Sequence, residues 1–264
     1  MEPQNVFSGY SACARGNGLL TIVQATWIVP KVSCPALVNY PRAAVWVGLW
    51  GSMPSVANGT AWLPQIGTAS QCNRDINGNP VPGTFYFPVW EMETFIKGQG
   101  NTPQGITSMT INPGDKMVGS VEYEGPDKSN FQHFSLVLDD VTVNAKKPGS
   151  DEVTIRTATT EPVKDLSTIL QQGGAVVEGA TSLKTKLGNV WANGLAQFKT
   201  PIPLTHVQVG SAFAGSRSPA SVGYVEWVYK DQSGQGHPMA INSKLTGSMY
   251  GSLAGFTVTW KRTT

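Results

Sequence analysis

The sequence predicts an all-β protein, an antiparallel β-sandwich of two large sheets. Three observations carry the prediction. Short runs of alternating apolar and polar residues recur along the chain, the period-2 signature of half-buried strands. Turn-forming clusters rich in Gly, Pro, Asn and Asp separate them. Only 14% of the 264 residues are charged, while Gly (29) and Pro (18) are abundant, a balance that suits strands and turns better than helices.

In chain order, "LLTIVQATWIVP" reads as a strand that stops at Pro30, and "AAVWVGLWG" sets Val45, Val47 and Leu49 against Trp46, Gly48 and Trp50. "KMVGSVEYEG" puts Met117, Gly119, Val121 and Tyr123 on one face; "FSLVLDDVTV" and "DEVTIRTATT" continue as strands. "THVQVGSAF", "VGYVEWVYKD" and "FTVTWKR" follow, the last with Phe256, Val258 and Trp260 opposite Thr257, Thr259 and Lys261. The turns between them are "SMPSVANGT", "NRDINGNPVPGT", "INPGDK", "KKPGSD" and "KDQSGQG". Only "VKDLSTILQQ", Val163 to Gln172, has helical character. At least ten strands, with no break in composition and no internal repeat, suggest a single domain over residues 1–264.

Composition excludes several functions. The net charge is +2 and the longest basic cluster is Lys146-Lys147, so no nucleic-acid partner is expected. No apolar run reaches the roughly 18 residues that span a bilayer, so no membrane partner is expected either. His133, His206 and His237 are scattered and no C-x-x-C pair occurs, which argues against a metal site. Asp139 and Asp140 are adjacent on a strand, so their side chains point to opposite faces; they read as a solvated strand end, not a catalytic dyad. Eight Trp and seven Tyr suit a glycan groove, or simply the packing of large sheets.

Eight stretches, in order, resemble the glutamic peptidases, or eqolisins: "NVFSGYSA", "VQATWIVP", "AVWVGLWG", "LPQIGTASQC", "FPVWEMET", "INPGDKMVGSV", "LAQFKTPIPLTHVQV" and "FTVTW". They span Asn5 to Trp260. The resemblance implies two large curved sheets of concanavalin-like, jelly-roll type enclosing a substrate cleft. It also implies endopeptidic cleavage of polypeptides at acidic pH, with no metal and no cofactor. The family's start is similar to "NVFSGYSA", so Met1 is read as preceding a mature form that lacks a signal peptide. The expected location is secreted and the expected state monomeric.

The family's dyad is one Gln and one Glu, and its L-x-Q-x-G segment falls on Gln65. The chemistry explains those residue types. A carboxylate can take a proton from water and return it to the leaving amine. An amide NH2 remains a donor at any working pH and can stabilise the oxyanion. For the Glu, matching "AVVE" to the family's W-I-V-E puts Glu178 on that motif's second Glu and leaves Gly174 at its catalytic one. Four residues along a strand separate the two by roughly 13 Å. A bulge at "QQGG" could bring Glu178 into register. Glu226 in "YVEWVYK" is closer by letters but lies after the L-A-D-F-G-like segment, and a chain with no catalytic Glu is the third alternative. That last alternative implies an inactive relative binding peptide or glycan in the same cleft.

Glu91 is expected in the cleft, orienting Gln65 or binding substrate, with Trp90, Trp46 and Trp50 as further substrate-binding candidates. Trp50 stands where the family has an acid, and Val89 where it has an aromatic residue. The resemblance also implies a Cys34–Cys72 disulfide, leaving Cys13 free. "NGT" at Asn58 is a glycosylation sequon.

Overall fold

The computed structural model describes residues 7–33, 42–51, 62–74, 80–94, 103–145, 151–179, 183–185, 188–190, 197–198, 200–211, 213, 218–219, 221–228 and 240–261. In chain order the first strands are β1 (Phe7–Ala14), β2 (Ile22–Ile28), β3 (Val32–Ser33), β4 (Arg42–Trp50), β5 (Trp62–Arg74) and β6 (Pro80–Thr94). Next come β7 (Gln104–Gly105), β8 (Lys116–Pro126), β9 (Gln132–Asp140), β10 (Glu152–Ala158), β11 (Gln172–Gly179) and β12 (Leu183–Thr185). The last are β13 (Gly188–Val190), β14 (Gln197–Phe198), β15 (Ile202–Gly210), β16 (Val222–Trp227), β17 (Ala240–Asn242) and β18 (Ala254–Trp260).

Two seven-stranded antiparallel sheets form the sandwich. One has the order β16-β1-β11-β4-β5-β6-β7 and the other β10-β9-β8-β2-β15-β18-β17. Alternation decides which residues fill the space between them. Val45, Val47 and Leu49 of β4 meet Trp27 of β2, Met117 and Val121 of β8 and Leu136 and Leu138 of β9 in one core. The indole of Trp27 crosses the interface and donates to Thr68 Oγ1 on β5 at 2.9 Å, so even the buried N–H is satisfied. The ring has room because Gly119 lies opposite it: a Cβ there would stand 2.8 Å from Trp27 Cη2 and 2.9 Å from Val47 Cγ1.

The first sheet is buried on its outward face as well. Ala44, Trp46, Ala69, Val89 and Val176 form a second apolar cluster there, flanked by Phe7 and Phe87. Trp46 and its neighbours on β4 therefore serve opposite sides of one sheet, as the 45/47/49 against 46/48/50 alternation predicts.

Local chemistry ends the elements. In "INPGDK" the Asp115 carboxylate accepts from Asn112 N at 2.6 Å and Gly114 takes φ +96°, a conformation that favours glycine. The expected helix at Val163–Gln172 shrinks to Ser167–Leu170, because Gln172 and the glycines after it are already paired in β11. The "FSLVLDDVTV" strand also stops early, at Asp140. The side chain of Asp140 accepts from Thr142 N and Val143 N and caps a four-residue helix, Val141–Asn144. The Asp139-Asp140 pair is thus not a solvated end, since Asp140 is fully buried.

Among the described residues no group of His, Cys, Asp or Glu could hold a metal ion. No described helix is long and apolar enough to cross a membrane. Cys72 is disulfide-bonded and Cys13 is a free thiol. Cys34, Asn58, Lys146, Lys147 and His237 lie outside the described residues.

Candidate active site

Strand register builds the site. In an antiparallel pair, directly opposed residues project from the same face. Ser11 pairs with Gly174, Gly174 with Gly48, Gly48 with Gln65, and Gln65 with Glu91. Five strands thus contribute one row across the outward face of the first sheet, in which two glycines separate Ser11 from the Gln65–Glu91 pair. The glycine beside Gln65 has a steric role. A Cβ on Gly48 would lie 3.0 Å from Gln65 Cβ and 3.2 Å from Leu63 Cδ1, tighter than ordinary contact.

Gln65 and Glu91 touch. The Gln65 amide Nε2 donates to Glu91 Oε2 at 3.1 Å, with the two residues only 4% and 6% exposed. An ionised carboxylate can only accept, so its partner must present the NH2 end of the amide. That leaves the amide's second N–H for another acceptor. In a site withdrawn from water, each such interaction is worth more than at the surface.

Glu178 is placed elsewhere. It pairs with Ala44 on β4 and Phe7 on β1, four residues along β11 from Gly174. No bulge interrupts the β11 register with either neighbour, so the shift that would bring Glu178 level with Gln65 does not occur. Four residues along the strand and two strand spacings across put their backbones roughly 16 Å apart. Glu178 Oε2 instead accepts from the Trp46 indole at 2.6 Å. Glu226 is further removed. On the edge strand β16 it pairs with Tyr10 of β1, on the opposite face from Gln65, and accepts from Asn242 Nδ2 at 3.1 Å. Burial, helped by that carboxylate, pushes the Tyr10 hydroxyl above its ordinary pKa.

The tryptophans divide. Trp46 lies on the outward face, in the row next to Gln65, and Trp50 lies on the same face, donating to Gln172 Oε1 at 3.0 Å. Trp90 is a correction: it pairs with Ile66 and packs against the inter-sheet core. It precedes Glu91 in an uninterrupted strand, so the two cannot share a face. Ser11, buried in the Gln65 row, was not singled out from the sequence, although the alternation of "FSGYSACA" puts it on the same face as Gly9 and Cys13.

Residues 6–133 match the model of the Peptidase A4 family. The match covers slightly less than half of the chain, its N-terminal part. The matched segment holds Trp46, Gln65 and Glu91, and stops before β11. The chain is also similar in structure to SCP-B, a member of the eqolisin family of peptidases solved in a complex with the tripeptide Ala-Ile-His. The TM-score is 0.55 at 15% identity, covering 98% of this chain and 99% of that one. Scytalido-glutamic peptidase, solved with a peptide-based transition-state analogue, gives 0.55 at 15% identity over 96% and 98%. At that identity the likeness shows the fold alone, a two-sheet β-sandwich over nearly the whole chain. No curated protein matches by sequence.

Proposed function

We propose that the protein is a secreted endopeptidase that hydrolyses peptide bonds at acidic pH, with the amide of Gln65 and a carboxylate acting on one water molecule. The observation that carries the reading is the buried Gln65 amide held against a carboxylate on the strand pair β5–β6. Peptide hydrolysis needs a base for the water and a donor for the oxyanion. A Gln whose NH2 is oriented by one hydrogen bond supplies the donor without reorganising during the reaction. The peptide and the peptide-based analogue held by the two similar structures agree with a polypeptide substrate.

Acid operation fits the charge economy of the chain. With 17 Asp and Glu in 264 residues, little positive charge accumulates when they protonate, and self-repulsion stays small. The test is digestion of acid-denatured serum albumin between about pH 2 and 5 in the presence of pepstatin, using the wild type and Gln65→Ala. Pepstatin-insensitive cleavage that disappears in the variant supports the proposal; a folded wild type that cleaves at no pH overturns it.

One observation favours a second reading. Gly174 stands where the resemblance expects the catalytic Glu, as in a relative that binds peptide or glycan without cutting it. Binding of acid-denatured albumin without any cleavage is the result that selects this reading.

A further inference from the structure

We infer that Glu91, and not a carboxylate on β11, is the general base of this protein, so that the working pair is formed by directly opposed residues of one β-hairpin. The inference rests on the proposed peptidase function. Three observations lead to it. Glu91 is the carboxylate in contact with Gln65, at 3.1 Å. The remainder of the row, Ser11, Gly174 and Gly48, contains no acid. The β11 position in that row is closed to any side chain: a Cβ on Gly174 would lie 2.3 Å from the Tyr10 carbonyl oxygen and 2.7 Å from Ser11 Cα.

Glu178 cannot take over across two strands and four residues, and its Oε2 is already engaged by the Trp46 indole. It lies on the same face as Gln65, at the apolar cluster around Trp46 and level with Ala44.

The chemistry balances within the pair. The Glu91 carboxylate takes a proton from water as the water oxygen bonds to the scissile carbonyl carbon. The carbonyl π electrons move to oxygen, and the free N–H of Gln65 donates to the resulting oxyanion. The protonated Glu91 then delivers its proton to the amide nitrogen as the C–N bond breaks, leaving a carboxylic acid, an amine and the starting carboxylate. No co-reactant beyond water is required.

The experiment compares kcat and KM for an acid-denatured albumin digest by wild type, Glu91→Gln and Glu178→Gln, with melting temperatures as fold controls. General-base catalysis contributes about 10²–10⁴-fold. Glu91→Gln is expected to lose at least about 100-fold in kcat with KM little changed, while Glu178→Gln keeps both kcat and KM within about threefold. Retained activity in Glu91→Gln, or an equal loss of kcat in Glu178→Gln, overturns the assignment while leaving the peptidase reading standing. A wild type without activity removes both. If Glu91→Gln fails to fold, Glu91→Asp decides. Reduced kcat with a displaced acidic limb of the pH profile supports the assignment; an unchanged rate and profile overturns it.

Discussion

Installing the missing acid at Gly174 probes how tightly the fold excludes it. In Gly174→Glu the new Cβ starts 2.3 Å from the Tyr10 carbonyl oxygen and 2.9 Å from Ser11 Cβ, where ordinary contacts begin near 3.4 Å. The obstacle is backbone, which cannot rotate away, so β1 and β11 must separate locally by about 1 Å, the shortfall between that contact and the ordinary one. Gly174 sits inside a seven-residue ladder running from Phe7↔Glu178 to Cys13↔Gln172, so the separation strains bonds on both sides. Overpacking of this kind costs about 1–3 kcal/mol, and each weakened ladder bond adds about 1 kcal/mol. The sum is roughly 2–4 kcal/mol, or about 5–15 °C in melting temperature at this chain length. The assay is thermal unfolding by circular dichroism, paired with the albumin digest. A variant as stable as the wild type and faster at cleavage would refute the reasoning, because it would show that the position has room for an acid and benefits from one.

Three further outcomes follow from the same contacts. Trp27→Phe removes the 2.9 Å bond to Thr68, strands a buried hydroxyl and leaves a void between the sheets; a loss of about 2–4 kcal/mol in urea unfolding is expected. Tyr123→Phe strips a 2.6 Å donor from the buried Gln132 Oε1 and should cost about 1–3 kcal/mol by the same measurement. In the wild type, burial holds the Tyr123 hydroxyl at a pKa of about 12, so it remains a donor throughout the working range. Asp140 has its pKa raised by burial, with Asp115 and Asp151 adding to the shift against the two backbone bonds it accepts. Below the unfolded-state pKa of about 4 both states hold the proton. Above it the unfolded chain releases the proton first, so stability falls as pH rises toward the folded-state value. Asp140→Asn keeps a capping oxygen, and its melting temperature should decline less than that of the wild type between pH 4 and 7; parallel curves would contradict this.

Much of the fold was legible because period-2 alternation survives translation into three dimensions. Met117, Gly119, Val121 and Tyr123 all point into the core as the pattern requires. The failures have separate physical causes. The sequence around Asp140 alternates smoothly, but a side chain that accepts two backbone N–H groups outweighs strand propensity there. The Val163–Gln172 segment has helical composition, yet pairing with β1 and β4 claims its last residue. Trp90 was misplaced by a family pattern read without its alternation, since adjacent residues of an extended strand cannot both face a cleft.

The site was legible residue by residue but not as a set. Gln65, Glu91 and the vacancy at Gly174 can all be picked out from motifs. That Gln65 opposes Glu91 follows only from the β5–β6 register. The hairpin between them carries a register shift near Cys72 and Arg74, and its turn-rich "NRDINGNPVPG" is compatible with several loop lengths. The pairing of Glu178 with the Trp46 indole likewise appears only once β4 and β11 are aligned.

The most direct test of the central claim is a double-mutant cycle on Gln65→Ala and Glu91→Gln, read as kcat/KM on one peptide substrate at acidic pH. Groups that act on a single water as a unit are strongly non-additive. The account predicts that the double variant is about as slow as the worse single variant. Losses that multiply would mean that the amide and the carboxylate work independently, and would contradict it.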